Sequence, residues 1–123
     1  LFLITSFWDI NNYISPNLEI ESHTDNIHDT AGCTYKARNM SVEQIKEDMQ
    51  KSIDIIKSNK IFAYPCYYYN DNFIEALKQL GFKEAFIGEN VSVRKTSNDY
   101  LLPRKVVIDS TNVEDLKYYL EVN

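Results

Sequence analysis

The chain has 123 residues, 44% of them hydrophobic and 25% charged, with three Gly and three Pro; that is the size and composition of one folded domain, and it excludes a low-complexity chain. A formal net charge of −5, from 13 basic against 18 acidic residues and without a basic stripe, argues against nucleic acid as a partner. No apolar run approaches the roughly 20 residues of a membrane span, and Leu1-Phe2-Leu3-Ile4 lacks the length and basic flank of a signal peptide.

In chain order, Leu1 to Thr5 reads as a buried strand, and its direct entry without Met points to a cut inside a domain. Asp9 to Asn17 is a loop of Asn, Ser and Pro, and Leu18 to Ser22 alternates as a second strand. Thr24 to Met40 is predicted to be a long polar loop, of the kind that usually carries function or moves. Ser41-Val-Glu-Gln44 forms a capping box, and Val42, Ile45, Met49, Ile53 and Ile56 mark the apolar face of a helix running to about Ser58. Ile61 to Pro65 is a short strand. Asp71 to Leu80 is a helix with Phe73, Ile74, Leu77 and Leu80 inward and Gly81 at its C-cap position. Ala85 to Ile87 is a strand, Leu101 to Ile108 is a strand broken early by Pro103, and Thr111-Asn-Val-Glu114 is a second capping box opening a helix to about Leu120. This alternation implies an α/β fold of about five mostly parallel strands and three helices joined by right-handed crossovers. Only Ser6 to Asn17 is available to connect the first two strands, a tight span for a parallel pair.

Functional residues of parallel α/β folds gather at the C-terminal ends of strands. His23 and Thr24 stand there after one strand, with His28 five residues beyond His23; Pro65 to Tyr69 stand there after the next. Two imidazoles launched from a strand end are a way to hold a metal, given a neutral ring and a partner that fixes its tautomer; Asp25, Asp29 or Glu21 could serve. The plainer reading is two ordinary loop histidines. The aromatic run Phe62-Ala-Tyr-Pro-Cys-Tyr-Tyr-Tyr69 could stack on sugar rings, though a tyrosine-rich strand end packed on its neighbours is the commoner case. Arg104 is a candidate to bind a carboxylate, or simply pairs with one of the many acids. Cys33 and Cys66 have no metal-motif spacing; they are two free thiols or, in an oxidising compartment, one disulfide across the functional face.

Together and in this order, these pieces resemble the polysaccharide deacetylase family, the NodB-homology domains of carbohydrate esterase family four. Leu1-Phe-Leu-Ile-Thr5 is similar to the family's second barrel strand, and Glu19-Ile-Glu-Ser-His-Thr24 with His28 resembles its metal-binding histidine motif. Phe62-Ala-Tyr-Pro65, then Tyr69-Asn-Asp71 leading into Phe73-Ile-Glu-Ala-Leu-Lys-Gln-Leu-Gly-Phe82-Lys-Glu-Ala-Phe86, is similar to the third motif with its following helix and strand. Leu102-Pro-Arg104 resembles the segment opening the last strand.

The resemblance implies a partial or distorted (β/α) barrel and metal-dependent removal of N- or O-acetyl groups from a polysaccharide or peptidoglycan-type glycan, in an extracellular or cell-envelope setting. It implies zinc as the divalent metal, with His23 and His28 as ligands, the backbone N–H of Cys66 at the oxyanion position, and Thr24, Pro65, Tyr67 and Arg104 against substrate. The chain departs from the pattern in several places. The family's two aspartates lie on a first barrel strand upstream of the segment that opens this chain, and no histidine remains for a general acid. Ala63 stands where many members have an Arg, Cys66-Tyr67 replaces a common Tyr-Gly, and the histidine spacing is one residue longer than the commonest form. Asp25 and Asp29 flank the histidines as candidate substitute ligands, or are solvated loop acids. Three readings follow: a fragment of a working deacetylase, inactive in isolation; a non-catalytic member that binds glycan or protein; or a small open-sheet α/β module. A barrel lacking one strand is also expected to self-associate, burying Leu1 to Ile4 as a homodimer through the exposed sheet edge.

Overall fold

The computed structural model describes residues 1–28, 35–89, 91–105 and 107–121. Four short strands, β1 (Phe2–Leu3), β2 (Glu21–Ser22), β3 (Ile61–Ala63) and β4 (Glu84–Phe86), form one sheet in the order β1-β2-β3-β4, with every neighbouring pair parallel. The helices are α1 (Tyr35–Arg38), α2 (Val42–Ile56), α3 (Asp71–Gln79) and α4 (Val113–Glu121). β1 and β2 are joined without an α-helix; a 3-10 turn at Ile10–Tyr13 makes the return, started by Asp9, whose carboxylate accepts from Asn11 N. Parallel hydrogen bonding continues past the strand ends, from Glu21 N to Leu1 O through His23 N to Leu3 O and Thr5 N to Thr24 O.

Ser41 and Gln44 form the expected reciprocal cap of α2, and α2 ends at Ile56, where Lys57 takes the left-handed conformation. Gly81 does the same after α3, at φ 81°. Among the described residues the expected last strand contracts to one parallel bridge, Phe86 to Leu102, in which Leu102 N donates to Ala85 O and Leu102 O accepts from Ile87 N. The last cap sits one residue later than expected: Asn112 Oδ1 accepts from Asp115 N, and Asn112 N donates to Asp115 Oδ2, each at 3.0 Å. Thr111 Oγ1 instead accepts from Ile108 N.

The core lies between α2, α3 and the sheet. Ile45 and Met49 of α2 and Phe73, Ala76 and Leu77 of α3 are fully buried with Phe62 and Ala85 of the strands. Phe62 is its centre, with ring centroids at 5.3 Å from Tyr64, 5.9 Å from Phe73 and 5.7 Å from Phe82. Two small residues bring α2 close to β2, where the buried hydroxyls of Ser22 and Ser52 hydrogen-bond at 2.8 Å. That contact fixes α2 across the back of the strand that delivers the histidines.

Candidate functional site

Because all four strands run the same way, their C-terminal ends open onto one face. The chain leaves β2 through His23 and Thr24 and leaves β3 through a 3-10 turn, Pro65–Tyr67. Thr24 (φ 78°), Cys66 (φ 50°) and Tyr67 (φ 61°) all adopt the left-handed conformation without being glycine. Among the described residues the only other such case is Lys57, a helix cap. Backbone held in this sparsely populated region costs of order 1–3 kcal/mol per residue and concentrates at functional sites.

His23 Nδ1 lies 2.5 Å from Ala63 O. A carbonyl only accepts, so Nδ1 carries the proton and the lone pair is on Nε2. Burial pushes the ring's pKa down to about 4 against the opposing Ala63 hydrogen bond, and His28 and Arg104 add to the depression. His23 is therefore neutral at physiological pH, the state a metal ligand requires. His28 is placed by Ile27, which is 3% exposed and packs into the core. Its Nε2 is 3.5 Å from Cys66 Sγ, and its Nδ1 is buried with no hydrogen-bond partner among the described residues. Cys66 is disulfide-bonded, not a free thiol; Cys33, the other half of the expected pairing, lies outside the described residues. A disulfide sulfur is a weak acceptor, so among the described residues no strong hydrogen bond ties up either nitrogen of His28.

The two imidazoles have centroids 5.4 Å apart and planes at 49°. Rings bound through nitrogens 2.0–2.1 Å from one tetrahedral zinc have centroids roughly 5 Å apart, so the pair fits a shared cation. With Cys66, Tyr67 and Arg104 they line an open cleft of about 430 Å³. No group of three His, Cys, Asp or Glu side chains able to hold a metal occurs among the described residues. Asp25 is not grouped with the histidines and does not line the cleft; its Oδ1 accepts from Thr5 Oγ1 at 2.7 Å. Glu21 does not orient His23 either: it is buried under β2, accepting from Ser58 Oγ, and the Ala63 carbonyl takes that role. Asp29 lies outside the described residues.

Arg104 and Tyr67 line the same cleft as the histidines. The Arg104 guanidinium sits 5.2 Å from the Tyr67 ring centroid and 5.9 Å from that of Phe2, each a cation–π contact. Gly88 packs directly against Tyr67: an added Cβ there would come within 2.3 Å of the ring. Gly88→Ala is therefore expected to swing Tyr67 off Arg104 while leaving the core intact. Two-dimensional NMR should show shifts concentrated at Tyr67, Arg104 and Phe2, with the unfolding free energy changed by less than about 1 kcal/mol.

Of the other residues singled out from sequence, Thr24 and Pro65 are buried behind the cleft and do not line it, and Thr24 Oγ1 has no partner among the described residues. The aromatic run divides by role. Phe62 and Tyr64 are fully buried core, and Tyr64 donates to Tyr100 O; Tyr67 faces the cleft at 45% exposure. Asp48 was not visible as a site residue. Its two carboxylate oxygens accept from Asp25 N and Asn26 N at 2.9 and 2.8 Å, holding the start of the segment that carries His28. Burial raises its pKa despite those two donors. The signal was an acid on the apolar face of α2, between Ile45 and Ser52.

The chain matches the polysaccharide deacetylase family over residues 3–85. It is 33% identical over 97 residues to poly-beta-1,6-N-acetyl-D-glucosamine N-deacetylase of Staphylococcus aureus, strains MSSA476 and N315; the match covers 74% of this chain and 33% of those proteins, so the chain spans about a third of their length. A solved de-N-acetylase from Aggregatibacter actinomycetemcomitans shares the fold, with a TM-score of 0.60 at 22% identity, over 82% of this chain and 47% of that one. The parallel sheet with its helices is thus consistent with a partial barrel of the deacetylase type, and the chain belongs to the polysaccharide deacetylase family.

Proposed function

We propose that this chain carries the histidine half of a deacetylase site, acting on an N-acetylated or O-acetylated glycan, with His23 and His28 holding a divalent cation, zinc in the first instance. The observation that carries the reading is the histidine pair: His23 neutral with its lone pair fixed on Nε2, and His28 with its ring centroid 5.4 Å away and its Nε2 beside Cys66 in the same cleft. When bound, the cation would polarise the acetyl carbonyl and lower the pKa of the attacking water. Cys66, in its left-handed turn, offers its backbone N–H as the oxyanion donor, and Tyr67 and Arg104 form the sugar-facing wall, with Thr24 and Pro65 shaping the cleft from behind. The name of the Staphylococcus relatives supports an N-acetylglucosamine polymer as substrate. The disulfide at Cys66 supports an extracellular or envelope setting.

One observation favours a second reading, a glycan-binding remnant: the described lining of the cleft contains no carboxylate to act as base. The two are separated by incubating the zinc-loaded chain with a β-1,6-linked N-acetylglucosamine oligomer and measuring binding and acetate release together. Binding with acetate release supports the deacetylase reading. Binding without release supports the remnant, and an oligomer that does not bind contradicts both.

A further inference from the structure

The cleft holds a third side chain of metal-ligand chemistry that the disulfide keeps out of use. Cys66 Sγ stands 3.5 Å from His28 Nε2, and both line the cleft with His23. A sulfur at about 2.3 Å and a nitrogen at 2.0–2.1 Å from one tetrahedral zinc are about 3.5 Å apart, so sulfur and imidazole already have the separation of two ligands of one ion. Cys66 stands in a left-handed turn just after β3, and from there its sulfur reaches His28. In its disulfide the sulfur has no thiolate to give, and no three-ligand group is found among the described residues.

We propose that reduction converts this site from two ligands to three, with the Cys66 thiolate joining His23 and His28, so that cation affinity is set by the redox state of Cys66. The inference rests on the histidine reading of the cleft given above. The chemistry is thiol–disulfide exchange. A dithiol reductant supplies two electrons, the S–S bond of Cys66 breaks to leave two thiols, and the reductant leaves as its own disulfide. The Cys66 thiol gives up its proton to solvent when the cation binds, as cysteine ligation requires. Catalytic zinc takes three protein ligands and keeps a fourth position open, a count that two histidines and one cysteine meet.

Cobalt(II) serves as the probe, because thiolate ligation adds a near-ultraviolet charge-transfer band that imidazole alone does not give. The oxidised chain, the chain reduced with a dithiol and desalted without oxygen, Cys33→Ser and Cys66→Ser are titrated in parallel. The two variants lose the same disulfide, so any shared loss of folding cancels between them. The expected result is at least tenfold tighter cobalt binding, with the near-ultraviolet band, in the reduced chain and in Cys33→Ser, and neither change in Cys66→Ser. Equal binding in oxidised and reduced chains, abolished by His23→Ala, would overturn this inference and leave the histidine site standing. Cobalt bound by none of the four would overturn both.

Discussion

Lowering the pH from 7 to 4 is expected to remove about 3 kcal/mol of folding stability through His23 alone. The imidazole titrates at 6.5 when solvated and at about 4 in the folded chain, chiefly because burial disfavours its charged form. Between those values the unfolded chain binds a proton that the folded chain does not. Stability from this residue is therefore full above pH 6.5, falls as the pH drops towards 4, and levels off below. His28 and Arg104 face the ring and deepen the effect, while the Ala63 carbonyl opposes it. Asp48 works in the other sense: burial raises its pKa, so acid relieves the cost of its charge. Urea midpoints from pH 4 to 7, measured with metal removed, should fall steeply for the wild type and much less for His23→Asn, whose amide keeps a donor towards Ala63 O. Asp48 is common to both chains and cancels. Parallel curves for the two would mean that His23 is not held neutral by the fold.

Phe62→Ala is expected to destabilise the chain by about 3–5 kcal/mol, a large share of the roughly 5–15 kcal/mol that holds a domain together. Phe62 has no solvent exposure and lies at the one position where the register of β2 and β3 is defined, opposite Ser22. Its ring meets Tyr64, Phe73 and Phe82 edge-on or tilted, so truncation leaves a void bounded by three rigid rings and α2. The consequence reaches the site, because Ala63, next in the strand, supplies the carbonyl that fixes His23. Chemical denaturation should show the loss directly, and histidine ring signals should broaden in the variant. A loss below 1 kcal/mol would mean that the aromatic cluster is not the core.

The sequence carried the helices and the order of the motifs well. The capping box at Ser41, the face of Ile45 and Met49, and Gly81 after α3 are local signals, set by the side chains of a few consecutive residues. The strands were legible in place but not in extent. Among the described residues the last pairing is confined to Leu102, although a run of Val and Ile follows. The histidine pair was legible as a motif, because both residues follow one strand. Its surroundings were not. The partner of His23 is a backbone carbonyl from β3, and Asp48 reaches the loop from another element. Neither a carbonyl's aim nor a contact across 23 residues of sequence is written in local spacing. For the same reason Thr24 and Pro65, adjacent to cleft residues in sequence, turn inward.

The most direct test of the account is the zinc content of the purified chain after loading and desalting, by elemental analysis, beside His23→Ala. The account predicts near-stoichiometric zinc in the wild type and its loss in the variant, with both chains folded by circular dichroism. Zinc absent from the folded wild type, or retained equally by His23→Ala, would contradict it.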